Sequence, residues 1–214
     1  ITVSYPGSTF NHSATGGGWL RLADLEVTVD EQGNGTVSAV VTYGTVPGTP
    51  PNIPYDAATA VTVRGPERVD VVTLTGNDAE LAVVPAGASF SSLAGEWDAD
   101  FLAFLAGDAS ADPAVAAWSY ASTITNTGAA DRKPAPLTLR FATAPVFTGE
   151  AGGGEEPGEG SGETPATPPT ATPAPGTLTW GVKASFRTYI LTVANGSIAT
   201  SGGAGSLGSG FWFP

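Results

Sequence analysis

Between Trp19 and Tyr43 the apolar positions recur every second residue in two runs. Leu25, Val27 and Val29 stand between Asp24, Glu26 and Thr28, and Val37, Ala39, Val41 and Tyr43 form the second run. A period of two puts one face of an extended chain on a core and leaves the other in water, so the two runs predict a β-hairpin. The intervening Glu31-Gln32-Gly33-Asn34-Gly35 holds an Asn-Gly step, which tolerates positive φ and marks a tight turn. Its oxygen-rich composition invites a calcium reading, but the spaced carboxylates of a calcium loop are missing and the turn reading is preferred. Further strands are expected over 60–64 and 69–74, separated by Gly65-Pro66, and over 137–142. One stretch changes period: Trp97, Phe101, Phe104 and Leu105 fall on one helical face, with Asp98 placed to cap it and Gly107 to end it. Short strands separated by Gly and Pro turns predict an all-β fold, an antiparallel β-sandwich-like domain with one or two short helices.

From 147 to 176 the pattern disappears. Gly, Glu, Pro and Thr dominate, almost no large apolar side chain occurs, and such a segment cannot bury enough surface to offset the cost of ordering it. The chain therefore divides into 1–146, a disordered linker over 147–176, and 177–214. About 30 linker residues at 5–6 Å times the square root of their number span roughly 30 Å, enough to cross a small domain.

Composition narrows the function. Of 214 residues, 41% are apolar and 13% charged, which suits a packed β protein. The net charge is -12 with only 8 Lys and Arg, so no nucleic-acid partner is expected, because phosphate binding rests on cationic side chains. Without Cys there is no disulfide frame, thiolate metal site or Cys nucleophile. No run of about 18 apolar residues and no charged-then-apolar leader is present, and the chain reads as a fragment of something longer, its signal and anchor outside it. Enzyme chemistry finds little support. His12 is the sole imidazole and has no nucleophile-elbow sequence around it. Glu96, Asp98 and Asp100 resemble a glycosidase pair less than acids serving a helix start. Trp19, Trp97, Trp118 and Trp212 are each expected in the core, since Trp buries much area wherever it sits; exposed pairs would instead suit a sugar.

The phrase Gly176-Thr-Leu-Thr-Trp180-Gly-Val-Lys183-Ala-Ser185-Phe186-Arg187-Thr-Tyr189-Ile190 closely resembles the opening of the HtaA-type heme-binding domain of actinobacterial cell envelopes. Asn195-Gly-Ser-Ile198 and Phe211-Trp-Phe213-Pro214 resemble the family's next strand and aromatic-Pro step. Gly18-Trp19-Leu20 through Val29 resembles its central strand after a His-containing loop that includes His12. Trp97 to Leu105, Trp118-Ser-Tyr120 and Asp131 to Phe141 resemble its closing helix, aromatic segment and last strand. The resemblance implies that 1–146 is the C-terminal part of one repeat and 177–214 the N-terminal part of the next. It also implies that the two assemble as a circular permutation, in an extracellular or cell-envelope protein of tandem repeats that takes up heme for iron acquisition and passes it on. Expected partners are heme, hemoproteins and other envelope heme-transport proteins.

Chemistry at the residues is consistent with this. Val182, Phe186, Tyr189 and Val193 share one face if the stretch is helical, with Ser185 one turn before Tyr189. A phenol with an ordinary pKa near 10 binds as phenolate at neutral pH only to a strong electrophile, and ferric heme iron is one. The resemblance makes Tyr189 the iron ligand and Ser185 its companion, with Tyr120 near the pocket. Phe186 is expected against the heme, and His12 beside the phenolate as a group that changes charge near physiological pH. Lys183 and Arg187 could meet heme propionates or stand as solvated surface charges. Read without the family, Tyr189 is more often an ordinary core or edge aromatic than a ligand, since its run Thr-Tyr-Ile-Leu-Thr-Val also suits a strand. The competing reading is a cell-wall adhesion or carbohydrate-binding β-sandwich module without heme; a plain spacer is the third.

Overall fold

The structure is a computed structural model, and it describes residues 1–12, 17–49, 52–76, 82–84, 87–106, 134, 137–141, 176–181, 191–192, 195–207 and 210–214. Its strands are β1 (Thr2–His12), β2 (Gly18–Val29), β3 (Gly35–Thr45), β4 (Val61–Thr75), β5 (Ala82–Val84), β6 (Gly87–Trp97), β7 (Leu137–Phe141), β8 (Thr177–Gly181), β9 (Ser197–Ser201), β10 (Gly205–Leu207) and β11 (Gly210–Phe213). The helix α1 (Ala99–Ala106) follows β6.

All of these strands lie in one sheet, in the order β10-β11-β8-β7-β6-β4-β3-β2-β1-β9, with β5 paired to β6. Every ladder is antiparallel. The expected all-β antiparallel class therefore holds, but its two layers come from a single sheet that curls round until β9 approaches β10 and β1 approaches β11. The sheet is nearly closed into a barrel, which removes most of the unpaired edge that an open sheet would expose. At the seam, Gly7 has φ +108° and a Cβ there would stand 2.9 Å from both Ala204 N and Ser201 O. Only glycine lets β1 and the turn after β9 come this close.

Inward positions form the main core. Leu25, Val27, Val37, Ala39, Val41, Val72, Leu74, Phe90, Leu93, Leu139, Leu178 and Phe213 belong to it, all buried. The expected hairpin is β2–β3, with Val27 opposite Val37. Its turn differs in detail from the Asn-Gly expectation: Gly33 takes the positive φ, at +79°, while Asn34 and Gly35 already lead into β3. The Asp30 carboxylate organises this turn, accepting from Gln32 N at 2.9 Å and Asn34 N at 2.8 Å. Asn34 Oδ1 in turn accepts from Gly76 N at 2.9 Å, tying the hairpin tip to the end of β4. The two strands expected at 60–64 and 69–74 are one strand, β4, bent where Gly65 takes φ +83°.

The helix begins as its sequence predicts. Asp98 Oδ1 accepts from Asp100 N at 2.9 Å, an N-cap, and Asp98 Oδ2 accepts from Thr73 Oγ1 at 2.6 Å. Phe101, Phe104 and Leu105 enter the core. At its other end Arg64 Nη1 donates to Phe104 O at 2.8 Å, with the guanidinium 4.7 Å from the Phe104 ring centroid. A cation there complements the helix dipole. Of the expected core tryptophans, Trp19 is buried and Trp97 is half-buried, whereas Trp212 points outward from β11 and is 36% exposed; Trp180, of the phrase from Gly176, is buried as well. The alternation of Phe211, Trp212 and Phe213 explains this: two neighbours face inward, so the middle ring cannot. Trp118, Gly107 and the linker residues 147–175 lie outside the described residues.

Candidate functional site

Strict antiparallel order fixes which loops share an end of the sheet. β1, β3, β6, β8 and β10 run one way, and β2, β4, β7, β9 and β11 the other. β1 ends at His12, β3 at Thr45, β6 at Trp97 and β8 at Gly181, all at one end. β2, β4, β7 and β9 begin at that same end. The connections 46–60, 98–136 and 182–196 therefore leave and rejoin the sheet where β1 stops.

His12 is the last residue of β1, opposite Trp19 of β2 on one side and Ser197 of β9 on the other. It is thus a strand residue, which corrects the expectation of a loop. Directly opposed residues share a face of the sheet, so His12 and Trp19 stand together on the face opposite the Leu20 and Leu22 side chains that enter the core. Trp19 has room because its ladder partner on β3 is Gly44: a Cβ at that glycine would lie 2.6 Å from Trp19 Cζ2.

The 46–60 connection folds back over this face. Val46 and Ile53 join Trp19 in a second apolar cluster, with Phe10 and Ala60 against it. Val46 N donates to Gly17 O at 2.8 Å and holds the start of the connection to β2. Asp56 fixes its far end, Oδ1 accepting from Ala58 N at 2.9 Å and the carbonyl accepting from Ala60 N at 2.8 Å. Between these anchors stands Tyr55. Its ring centroid lies 4.6 Å from Phe10, 5.7 Å from His12 and 6.5 Å from Trp19. Tyr55 is 40% exposed, while His12 beneath it is 2% exposed and Trp19 7%. Asn195 Nδ2 donates to Asn52 Oδ1 at 3.5 Å, so the same connection also meets the stretch that precedes β9.

Two polar atoms are sealed under this aromatic cover. His12 Nε2 and Trp19 Nε1 are buried and have no hydrogen-bond partner among the described residues. Burial pulls the His12 pKa below its ordinary value of 6.5, because the charged form loses its hydration, so the imidazole is neutral at neutral pH. On the opposite, core-facing side, Asn11 stands opposite Leu20, and neither of its amide atoms has a partner among the described residues. Burial also raises the Tyr5 phenol pKa. Among the described residues no three His, Cys, Asp or Glu side chains gather to hold a metal ion. The Asp30 carboxylate is taken up by hydrogen bonds within the hairpin turn.

Of the residues expected to form the site, His12 is described and Tyr189, Ser185, Phe186 and Tyr120 lie outside the described residues, as do Lys183, Arg187, Val182 and Val193. Sequence reading missed Tyr55, and it assigned Trp19 to the general core. The available signal was a single large aromatic in a Pro- and Gly-rich stretch with no period of its own, a pattern more suited to a site than to packing.

No curated protein and no solved structure matches this chain. Residues 175–214, the stretch that contributes β8, β9, β10 and β11, match the family model HtaA, described as Htaa.

Proposed function

We propose that this chain is an extracellular heme-binding module of a cell-envelope iron acquisition protein, in which Tyr189 ligates ferric heme as tyrosinate and the heme is then relayed. The match over 175–214 carries the reading, because it spans the whole phrase from Gly176 to Tyr189. The placement of its strands supports it. β8 pairs with β7 and β9 pairs with β1, so the matched segment is built into the sheet made by residues 1–141.

This arrangement favours a domain assembled from two partial repeats. Arg140 pairs with Thr177, so β7 ends beside the start of β8 although 35 residues separate Phe141 from Thr177. A hairpin between such neighbours needs about two to five residues. The excess suits a spacer between repeats, with β8 opening one and β7 closing the other. Domain termini commonly lie close together, which makes permutation tolerable.

His12 fits the chemistry expected of the site. A neutral, buried imidazole with a free Nε2 next to β9 offers a hydrogen bond to a group entering from the 182–196 side. Heme supplies the electrophilic iron; the chain's own part is to present a phenolate, hold it with Ser185 and His12, and exclude water with Phe10, Phe186 and Trp19. Tyr120 completes the wall. These roles need no catalytic group, and the module is not an enzyme.

Ferric heme titration of the parent chain and of Tyr189→Phe tests the reading by Soret and charge-transfer absorbance. The parent is expected to saturate near one heme with a tyrosinate-type spectrum, and the variant to lose it. A parent with no specific Soret band would refute heme binding and return the carbohydrate-binding alternative.

A further inference from the structure

β6 pairs with β4 only over Val72–Thr75, so from Val61 to Asp70 β4 has β3 as its sole ladder partner among the described residues. The helix α1 lies along that edge. Asp98 N donates to Val71 O at 3.0 Å near its start, and Arg64 holds the Phe104 carbonyl near its end. A helix keeps its backbone hydrogen bonds to itself, so it flanks the edge without closing it. Between the two remains a cleft of about 440 Å³, within the range of small-molecule sites, roughly 300–1,000 Å³. Its lining is charged and divided. Arg64 and Arg68 stand in it with no carboxylate partner among the described residues, in a chain of 20 acidic side chains against 8 basic. Each guanidinium is anchored on neutral oxygens instead: Arg64 on the Ala103 and Phe104 carbonyls, Arg68 on Ser38 Oγ and Asp24 O, both at 3.1 Å. These contacts use only some of its donors, so each fork is held in place and still able to take an anion.

Glu67, Asp70 and Asp100 line the same cleft. Burial first, then Asp98, Asp100 and Glu26, hold the Asp70 carboxyl above its usual value, and no cation offsets them. Among the described residues no three His, Cys, Asp or Glu gather for a metal ion, so the acidic side suits an organic ammonium. Arg68 and Asp70 pair in register with Val40 and Ser38 and share a face of β4, about 7 Å apart along the strand. An extended dipeptide also spans about 7 Å. Val69 and Phe104, both buried, supply an apolar floor. We propose that this cleft binds a short peptide by its two charged ends, the carboxylate on Arg64 and Arg68 and the ammonium beside Asp70 and Asp100, with Val69 and Phe104 beneath its side chains. None of the lining residues belongs to the aromatic cluster around Trp19, so peptide binding here is independent of heme.

The probe is the dipeptide glycylvaline, titrated into the full isotope-labelled chain without heme and followed by backbone amide shifts in NMR. Movement is expected over 64–70 and 100–104, and the fitted affinity is expected to fall about tenfold or more in Arg68→Gln and in Asp100→Asn. Asp100 is exposed on the first turn of α1, so Asp100→Asn keeps the fold even where Arg68→Gln loosens the contact with Asp24 O. Arg68→Lys, which keeps the charge without the fork, is expected to fall between parent and Arg68→Gln. Acetylating the amine of the probe or amidating its carboxylate should each weaken binding by as much as the variants do. Amide signals that stay in place up to about 20 mM, where a millimolar site would be nearly full, overturn the site. Parental affinity in Asp100→Asn, or undiminished binding of either capped probe, overturns recognition by both ends.

Discussion

His12 couples the fold to pH in a direction that follows from its burial. Its folded pKa lies below 6.5, so as pH falls through about 6.5 the unfolded chain takes up a proton before the folded one does. Stability from this residue is complete above that value, declines as pH drops toward the folded pKa, and levels off below it. Urea midpoints of the parent are therefore expected to fall between neutral pH and about pH 5 by more than those of His12→Gln, with the difference assigned to the imidazole. Equal falls in the two proteins would remove His12 from the account. The chain shows only part of this at residue level. That His12 was the single imidazole was plain, and so was the phrase around Tyr189. Its strand position was not, because Ser8, Thr9, Asn11 and His12 are polar residues that look like loop in isolation. They are buried here because β9, supplied from nearly two hundred residues away, covers one side of them.

The hairpin turn is the element whose local chemistry is most self-contained. Burial alone would raise the Asp30 pKa, but hydrogen bonds from the Asn34 side chain and from the backbone of Asn34, Gln32 and Gly33 outweigh it and hold the carboxyl below its usual value. Its contribution is present at neutral pH and is lost as pH falls from about 3.8 through the depressed folded value. Asp30→Ala removes these acceptors at an exposed site, for which about 1–2 kcal/mol of destabilisation is expected at neutral pH by chemical denaturation. Asp30→Asn, which keeps one acceptor oxygen, should lose less. Period-two patterning found β2, β3 and β7, because each keeps one face in the core, and the cap at Asp98 located α1 to within two residues. β6 escaped notice because Ser89, Ser91, Ser92 and Gly95 dilute its pattern, and the bend at Gly65 disguised β4 as two strands.

At the scale of the molecule, the sandwich expectation and the observed sheet differ in one respect, how the layers connect. Alternation along each strand cannot distinguish two facing sheets from one sheet curled on itself, since both bury every second residue. The distinction lies in long-range pairings such as Phe10 with Ala199, which no local pattern encodes. The same pairings predict that the order of the two segments is dispensable. A rearranged chain that begins at Gly176, joins Pro214 to Ile1 through a short Gly-Ser bridge, ends at Phe141 and omits 142–175 is expected to fold with the parent's circular dichroism and to bind heme equally. Loss of cooperative unfolding in that chain would show that the linker does more than connect. Phe141 and Thr177, the end of β7 and the start of β8, lie side by side at the pole away from His12, so a link made through them leaves and enters the sheet at its base. Anything joined to the sheet through those two ends would hang from its base and leave the His12 end uncovered.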